Sequence, residues 1–174
     1  MIFFVNIWEV IRDFLESGGG VLYVIFFATF LLWSLIAERF WFFNKTYPKI
    51  AKDVIDEWNQ RSDKFSWNAP RIREAKVSQI GRQLDQSIYI IKTLVALCPL
   101  LGLLGTVTGM IAVFEVMAMT GTAHASLMAG GISMATIPTM AGMVAAISGI
   151  YFGSRLESRA RNEKEQLQDS LPYH

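Results

Sequence analysis

The sequence predicts an all-α integral membrane protein with three transmembrane helices, an N-terminal interfacial helix and helical cytoplasmic extensions. Hydrophobic residues make up 52% of the 174 residues and charged residues only 18%, a balance that is unusual for a soluble domain of this size. The charges are also absent from long stretches of the chain, and a helix needs about 20 apolar residues to cross a bilayer. Composition and charge distribution therefore indicate the same fold class.

Uncharged stretches of the sequence predict where the chain crosses the membrane three times. Gly18–Ala37 is the first such stretch and Thr93–Phe114 is the second. The third, Val116–Ser154, is too long for one crossing, but the small and polar residues at 120–126 favour a turn within it. We therefore predict transmembrane helices at residues 18–43, 88–119 and 127–153, with a short turn at residues 120–126.

The distribution of basic residues predicts the orientation of these helices. Nine Lys and Arg residues lie between Asn44 and Ser87, whereas residues 120–126 contain none. By the positive-inside rule, the loop at residues 44–87 is cytoplasmic and the turn at residues 120–126 is periplasmic. The N-terminus is then periplasmic, and residues 154–174 form a charged cytoplasmic C-terminal helix.

Two further segments have the spacing of amphipathic helices. In residues 1–17, apolar side chains recur at intervals of three and four, which predicts a helix lying along the membrane interface: Phe4, Trp8, Ile11 and Leu15. The alternative, an extension of the first span, is disfavoured by the glycines at 18–20. The loop at residues 44–87 predicts two helices that separate near Asn68, the second of them continuous with the second span.

The chain lacks the residue patterns of common catalytic and metal sites. It has two His residues and one Cys, and no carboxylate lies in the third span. No metal-ligand set, no nucleophile with an adjacent base and no phosphate-binding loop is recognisable. We therefore predict that the protein is not an enzyme, and that it uses no metal, no cofactor and no nucleic-acid partner.

Small residues recur on one side of the second and third spans. Membrane helices associate through close backbone contact at such residues and through interhelical hydrogen bonds. The residues that we assign to helix packing or oligomer contacts are Gly102, Gly105, Gly109, Gly131, Ala135 and Gly142. Helix packing alone is a sufficient explanation for this pattern.

Hydroxyl groups near the middle of these spans are candidates for a proton or water path: Thr106, Ser133, Thr136 and Thr139. A polar group at that depth prefers the interior of a helix bundle or a water-filled cavity. A single hydroxyl can instead bond to the carbonyl four residues back, without any function. Pro138 offers no backbone N–H, and we predict helix kinks at Pro138 and Pro99.

Charged residues at the ends of the spans have simpler interpretations. Glu38 and Arg39 are expected to mark the inner boundary of the first span, beside a belt of aromatic residues. Lys92, near the inner end of the second span, either extends its amine to the lipid headgroups or contacts a specific partner group. The sequence leaves both explanations for Lys92 open.

Two motifs resemble those of a known family. The segment PLLGLLGTVTGMI at residues 99–111 closely resembles the second-span signature of the ExbB/TolQ/MotA proton-channel proteins, and of ExbB in particular. Residues 131–142 are similar to the third-span signature of the same family. Together the two matches cover about residues 90–155, and the predicted topology resembles that of the family over the whole chain.

The resemblance implies a motor in the bacterial inner membrane. Several copies, five in the implied ring, would surround the single membrane helices of an ExbD-like partner, which supplies a protonatable aspartate. Proton flow would drive motion that reaches a TonB-like protein and energises uptake of siderophores or vitamin across the outer membrane. In this scheme Thr106 and Thr139 match the pore-facing threonines of the family, and Thr136 and Ser133 are further candidates for the proton path.

The chain departs from the family pattern at two positions. Many relatives carry a glutamate where this chain has Met134, and a small residue or threonine where it has Pro138. Met134 cannot relay a proton. Either the partner's aspartate and the hydroxyls suffice without that relay, or Thr136 and a bound water substitute for it. The short loop and tail resemble the smaller variant of accessory TonB systems. A TolQ-like role in envelope maintenance and a passive membrane scaffold remain alternatives, while the lack of a large cytoplasmic domain disfavours a MotA-like role.

Overall fold

The computed structural model describes Glu9, Arg12, Phe14 and residues 18–61, 67–121 and 125–171. Every regular element in these residues is a helix, which confirms the predicted all-α class. Among these same residues, three helical stretches are long and apolar enough to cross a membrane, as the sequence predicted. Apart from the three N-terminal residues named above, the predicted interfacial helix at residues 1–17 lies outside the described residues.

In the part of the chain that the structure describes from Gly18 onward, four α-helices and one π-helical segment follow one another. Helix α1 covers Gly19–Trp41, the π-helical segment covers Phe42–Thr46, and helix α2 covers Tyr47–Gln60. Helices α3 and α4 are much longer and cover Ala69–Thr120 and Ala125–Asp169.

The first span continues without a break into the helix that follows it. In the π-helical segment the backbone N–H of Tyr47 donates to the carbonyl of Phe42, five residues back, so α1 passes directly into α2. The sequence instead predicted that the first transmembrane helix ends at residue 43, where the cytoplasmic loop begins. The change from apolar to polar residues at that point marks the end of the apolar stretch, whereas the backbone hydrogen bonds continue through it.

The turn between α3 and α4 is formed at a glycine. Gly121 has a φ angle of +63°, and its N–H donates to the carbonyl of Met117 at 3.0 Å. A residue in this left-handed conformation commonly ends a helix, and glycine adopts the conformation without steric cost. Helix α4 begins at Ala125, inside the predicted turn at 120–126, and residues 122–124 lie outside the described part of the chain.

The chain divides into two compact units. The first comprises residues 1–32 and 93–149 and includes most of the uncharged sequence. In the most apolar stretch of each candidate span, only 22 to 28% of the residues are buried within the chain. The large apolar side chains exposed on the part of α3 that belongs to this unit include Leu100, Leu103, Leu104, Val107, Ile111 and Phe114. Such a surface requires lipid or other protein chains around it.

The second unit comprises residues 33–92 and 150–174 and has a more complete core. Its buried residues recur at the helical intervals of three, four and seven positions along α3 and α4, with Leu171 just beyond the end of α4: Val77, Ile80, Leu84, Ile88, Ile91, Leu156, Ala160, Leu167 and Leu171. Arg73 closes the end of α4 by donating from Nε to the carbonyl of Leu171 at 2.7 Å and from Nη2 to the carbonyl of Gln168 at 2.5 Å. A cation at this position satisfies carbonyls that the helix leaves unbonded.

Arg39 has a different environment from the one that its sequence position suggests. Only 4% of Arg39 is exposed, and its guanidinium donates to Ser87 Oγ at 2.6 Å and lies 4.9 Å from the ring centre of Phe42. Glu38, by contrast, remains exposed. Arg39 therefore links α1 to α3 within the second unit, so the prediction that it marks only the membrane boundary is incomplete.

Candidate functional site

A seam of small residues brings α3 and α4 into close contact in the first unit. A Cβ atom built at Gly142 would lie 2.5 Å from the carbonyl oxygen of Cys98 and 3.2 Å from the Cα of Gly102. Farther along α3, Cβ atoms on Gly105 and Gly109 would overlap Pro138 and Ala135, and one on Gly131 would overlap Val113. As the residue number rises along α3, that of its partner on α4 falls, so the helices are antiparallel.

All six predicted packing residues lie in this seam within one chain. Their small faces contact the neighbouring helix of the same chain, and their assignment to contacts between copies stays a prediction. The close approach has a functional consequence, since it lets a side chain on one helix reach the backbone of the other.

Two threonines meet across the seam. The Oγ atoms of Thr106 on α3 and Thr139 on α4 lie 2.8 Å apart, and both also lie within hydrogen-bond reach of the carbonyl oxygen of Gly102. Thr139 Oγ donates to this oxygen at 3.0 Å across the seam, and Thr106 Oγ at 3.3 Å within its own helix. We call Thr106 and Thr139 the threonine pair. Both are half-buried, so water or another chain can still reach them.

The threonine pair has more hydrogen-bond contacts than protons. Each hydroxyl carries one proton and two acceptor lone pairs. The three contacts among Thr106, Thr139 and the Gly102 carbonyl therefore cannot all be made at once. Thr106 can donate to Thr139 or the reverse, and the remaining proton then goes to the carbonyl. A hydroxyl pair that can reverse its direction in this way can receive a proton on one side and release one on the other.

The other candidate hydroxyls lie outside this pair. Thr136 Oγ donates at 2.8 Å to the carbonyl of Ile132, four residues back in its own helix, and Thr136 is exposed. Ser133 is also exposed on α4. Thr108, which is close to Thr106 in sequence, bonds only to carbonyls of α3, at 3.0 and 3.1 Å. The geometry thus distinguishes Thr106 and Thr139 from three hydroxyls with similar sequence surroundings.

Carboxylates are scarce in the parts of α3 and α4 that carry the threonine pair. Met134 is 43% exposed, and its terminal methyl lies 3.9 Å from where a Cβ on Gly19 would be. Glu115 is the only Asp or Glu between Thr93 and Ser154, and it lies nine residues from Thr106, about 13 Å along the helix. The described residues also contain no group of three or more His, Cys, Asp or Glu that could hold a metal ion.

The two prolines have different surroundings. Pro138 is buried, and its ring faces Gly105, which has no side chain to obstruct it. Pro99 is exposed within α3. Both helices continue through their proline, and the kinks at Pro99 and Pro138 remain predictions.

Sequence reasoning missed two contacts of functional interest. The carbonyl of Gly102 is the shared acceptor of the threonine pair, and a backbone group gives no signal in the sequence beyond the glycine itself. Lys92 forms an ion pair with Glu157, with Nζ 2.6 Å from Oε1. The Lys92 amine therefore has an acidic partner within the chain, although the side chain remains half exposed.

The sequence profile of the MotA/TolQ/ExbB proton channel family matches residues 44–169, which is more than half of the chain. The chain belongs to this family. The match includes the whole seam and the threonine pair. The family is one of proton channels.

Several curated relatives carry the ExbB name. A biopolymer transport ExbB-like protein of Synechocystis sp. is 28% identical over 80% of this chain and 67% of its own length. The biopolymer transport protein ExbB of Salmonella typhimurium is 35% identical over 55% of this chain and 39% of its own length. That of Aquifex aeolicus is 29% identical over 59% of this chain and 72% of its own length. The chain is thus an ExbB-like, multi-pass membrane member of the family, and it spans well under half of the Salmonella protein.

Proposed function

We propose that this chain is the ring-forming subunit of a motor in the bacterial inner membrane that is driven by the proton-motive force. With an ExbD-like single-span partner, it would energise TonB-dependent uptake of siderophores or vitamin across the outer membrane. The observation that carries the proposal is the threonine pair, which lies in an apolar unit of a chain from a proton channel family.

The threonine pair supplies hydrogen bonds to a proton path but cannot store the proton. A hydroxyl donates and accepts hydrogen bonds, whereas proton storage near neutral pH needs a group that titrates there. A carboxyl group in an apolar setting meets this need because burial raises its pKa toward neutrality. The uncharged stretches of α3 and α4 that carry the pair contain no carboxyl group, so we expect the acid to come from a partner helix.

The exposed apolar surface of the first unit supports assembly into a ring. The small residues of the seam are covered within the chain, so we expect contacts between copies to use mainly other, larger side chains. Leu103, Val107 and Phe114 on α3 each have at least half of their surface exposed. A ring of five copies around partner helices would cover part of this surface, and lipid would cover the rest.

Proton flux measurements test the proposal directly. The chain should be co-expressed with an ExbD-like gene from the same genome, purified, and reconstituted into liposomes that contain a pH-sensitive dye. Under an imposed membrane potential, we expect flux from the complex, little flux from the chain alone, and loss of flux when the partner's membrane aspartate is changed to asparagine. The mass of the purified complex gives the number of copies.

Two outcomes would contradict the proposal. Equal flux from the chain alone would mean that a partner acid is not needed. A complex of the expected mass with no flux under any potential would favour the passive scaffold. If that gene encodes a TolR-like partner and the complex conducts protons, the motor chemistry holds, and the TolQ-like role in envelope maintenance replaces nutrient uptake.

A further inference from the structure

The second unit contains a cavity of about 330 Å³ between α3 and α4 that is not part of the threonine site. Its volume is near the lower end of the range of about 300–1,000 Å³ that is typical of small-ligand sites. Unlike most such sites it is strongly charged, with three basic and two acidic side chains beside an aromatic ring: Asp85, Tyr89, Lys92, Glu157, Arg161 and Lys164.

Two of these charges neutralise each other. Lys92 Nζ lies 2.6 Å from Glu157 Oε1, and this hydrogen bond lowers the pKa of Glu157, with a smaller contribution from Arg161. Within the described residues, the remaining acid, Asp85, forms no ion pair, and neither Arg161 nor Lys164 forms one. The cavity therefore offers two cations and one anion to a ligand.

A glycine helps to shape one wall of the cavity. A Cβ atom on Gly81 would lie 3.1 to 3.4 Å from the end of the Lys164 side chain. The Lys164 side chain therefore lies directly against the backbone of α3. This contact holds the Lys164 amine near α3, the helix that also carries Asp85.

The cavity lies where the helices pass from charged to uncharged sequence. Lys92 is the last charged residue of α3 before the uncharged stretch that begins at Thr93, and Arg155 is the first on α4 after the stretch that ends at Ser154. Tyr89 is 75% exposed, and Tyr151 is 58% exposed in the same unit. Exposed tyrosines at such a transition are typical of the headgroup level of a membrane.

We propose that this cavity binds the headgroup of an amine-bearing zwitterionic phospholipid, a phosphoethanolamine group. The phosphate diester contacts Arg161 and Lys164, and the primary ammonium contacts Asp85. A purely anionic headgroup leaves Asp85 unpaired and repelling the ligand, whereas a simple cation meets the same repulsion from Arg161 and Lys164. A choline headgroup has the right charges but no N–H to donate to a carboxylate. The inference requires only that the helices span a membrane and does not depend on the proposed motor.

Lipid retention measured by native mass spectrometry tests this site. The full-length protein, purified in whatever assembly it forms, should be equilibrated with equal amounts of phosphatidylethanolamine, phosphatidylglycerol and phosphatidylcholine with identical acyl chains. We expect preferential retention of phosphatidylethanolamine. Arg161→Gln with Lys164→Gln should lower retention of both phosphatidylethanolamine and phosphatidylglycerol, by about fivefold for each charge removed near a membrane surface.

Asp85→Asn provides the sharper test because it keeps the shape of the side chain. It should abolish the preference for phosphatidylethanolamine over phosphatidylglycerol while leaving total lipid retention nearly unchanged. Arg155→Gln is a matched control, since Arg155 lies on α4 outside the cavity and its guanidinium donates to the Tyr151 hydroxyl. This control should leave the lipid preference unchanged.

Three results would overturn the proposal. Equal retention of the three lipids by the native protein would exclude a selective site. An unchanged preference in Asp85→Asn would exclude the ammonium contact. Complete displacement of the lipid by soluble glycerophosphoethanolamine at matched concentration would indicate a site for a soluble ligand instead of a membrane lipid.

Discussion

At the scale of single residues, the environment of a hydroxyl matters more than its place in the sequence. Thr106 and Thr108 lie two positions apart in α3, yet Thr106 meets Thr139 across the seam, whereas Thr108 bonds only to its own helix. Thr136 likewise bonds to its own helix. The predicted set of four hydroxyls is therefore reduced to one pair on geometric grounds, and the role of the pair in proton transfer is a proposal.

The threonine pair gives a specific prediction. Thr106→Val and Thr139→Val nearly keep the shape of the side chain but remove a hydroxyl from the proposed proton path. We expect at least a tenfold loss of proton flux in the reconstituted complex, with the mass of the complex unchanged. Thr139→Val should also cost about 1 kcal/mol of stability because it removes the interhelical bonds to both Thr106 and Gly102.

Thr108→Val is the matched control for this prediction. It removes a hydroxyl of the same kind from the same helix without affecting the pair, so flux should stay close to that of the native complex. Thr139→Ser keeps a hydroxyl at this position and should therefore retain most of the native proton flux that Thr139→Val loses. Native flux in both valine variants of the pair would rule out a hydroxyl path.

At the scale of helices, the antiparallel packing of α3 and α4 determines which glycines matter. The sequence shows glycines recurring on both helices, but it does not show which of them face a neighbouring backbone. Gly142 is packed against the carbonyl of Cys98, whereas a Cβ on Gly130 would meet nothing within 4 Å. Two glycines in the same helix thus have opposite tolerance for a methyl group.

This difference predicts opposite effects of alanine at the two positions. Gly142→Ala should lower the thermal stability of the purified complex by several degrees, because the methyl group must push a rigid backbone away. Gly130→Ala should be neutral or stabilising by up to about 1 kcal/mol, since alanine favours the helix over glycine. Thermal unfolding followed by size-exclusion chromatography measures both. Equal stability of the two variants would contradict the close packing at Gly142.

At the scale of the whole molecule, the orientation in the membrane can be tested with single cysteines. Cys98 is the only cysteine and is fully buried, so it should not react with a membrane-impermeant maleimide in the folded protein. We expect Met119→Cys, near the predicted periplasmic turn, to be labelled in intact spheroplasts. Gln60→Cys, at the end of α2, should be labelled only after the membrane is permeabilised. The reverse pattern would contradict the predicted orientation.

The sequence by itself determined the fold class and the three apolar stretches, because the thickness and low polarity of a bilayer limit the length and composition of any helix that crosses it. It also determined the family, through the motif at residues 99–111. These features depend on local composition, which a single sequence displays directly.

Only the tertiary structure decided which polar groups meet. Thr106 and Thr139 are 33 residues apart, Lys92 and Glu157 are 65 apart, and Arg39 and Ser87 are 48 apart. Helical spacing places each residue on a face of its own helix but does not specify the register between helices. In the first unit that register is set by close contacts between small residues, of which Gly142 against the carbonyl of Cys98 is the clearest. The register then decides that Thr139, and not Thr136, reaches the carbonyl of Gly102.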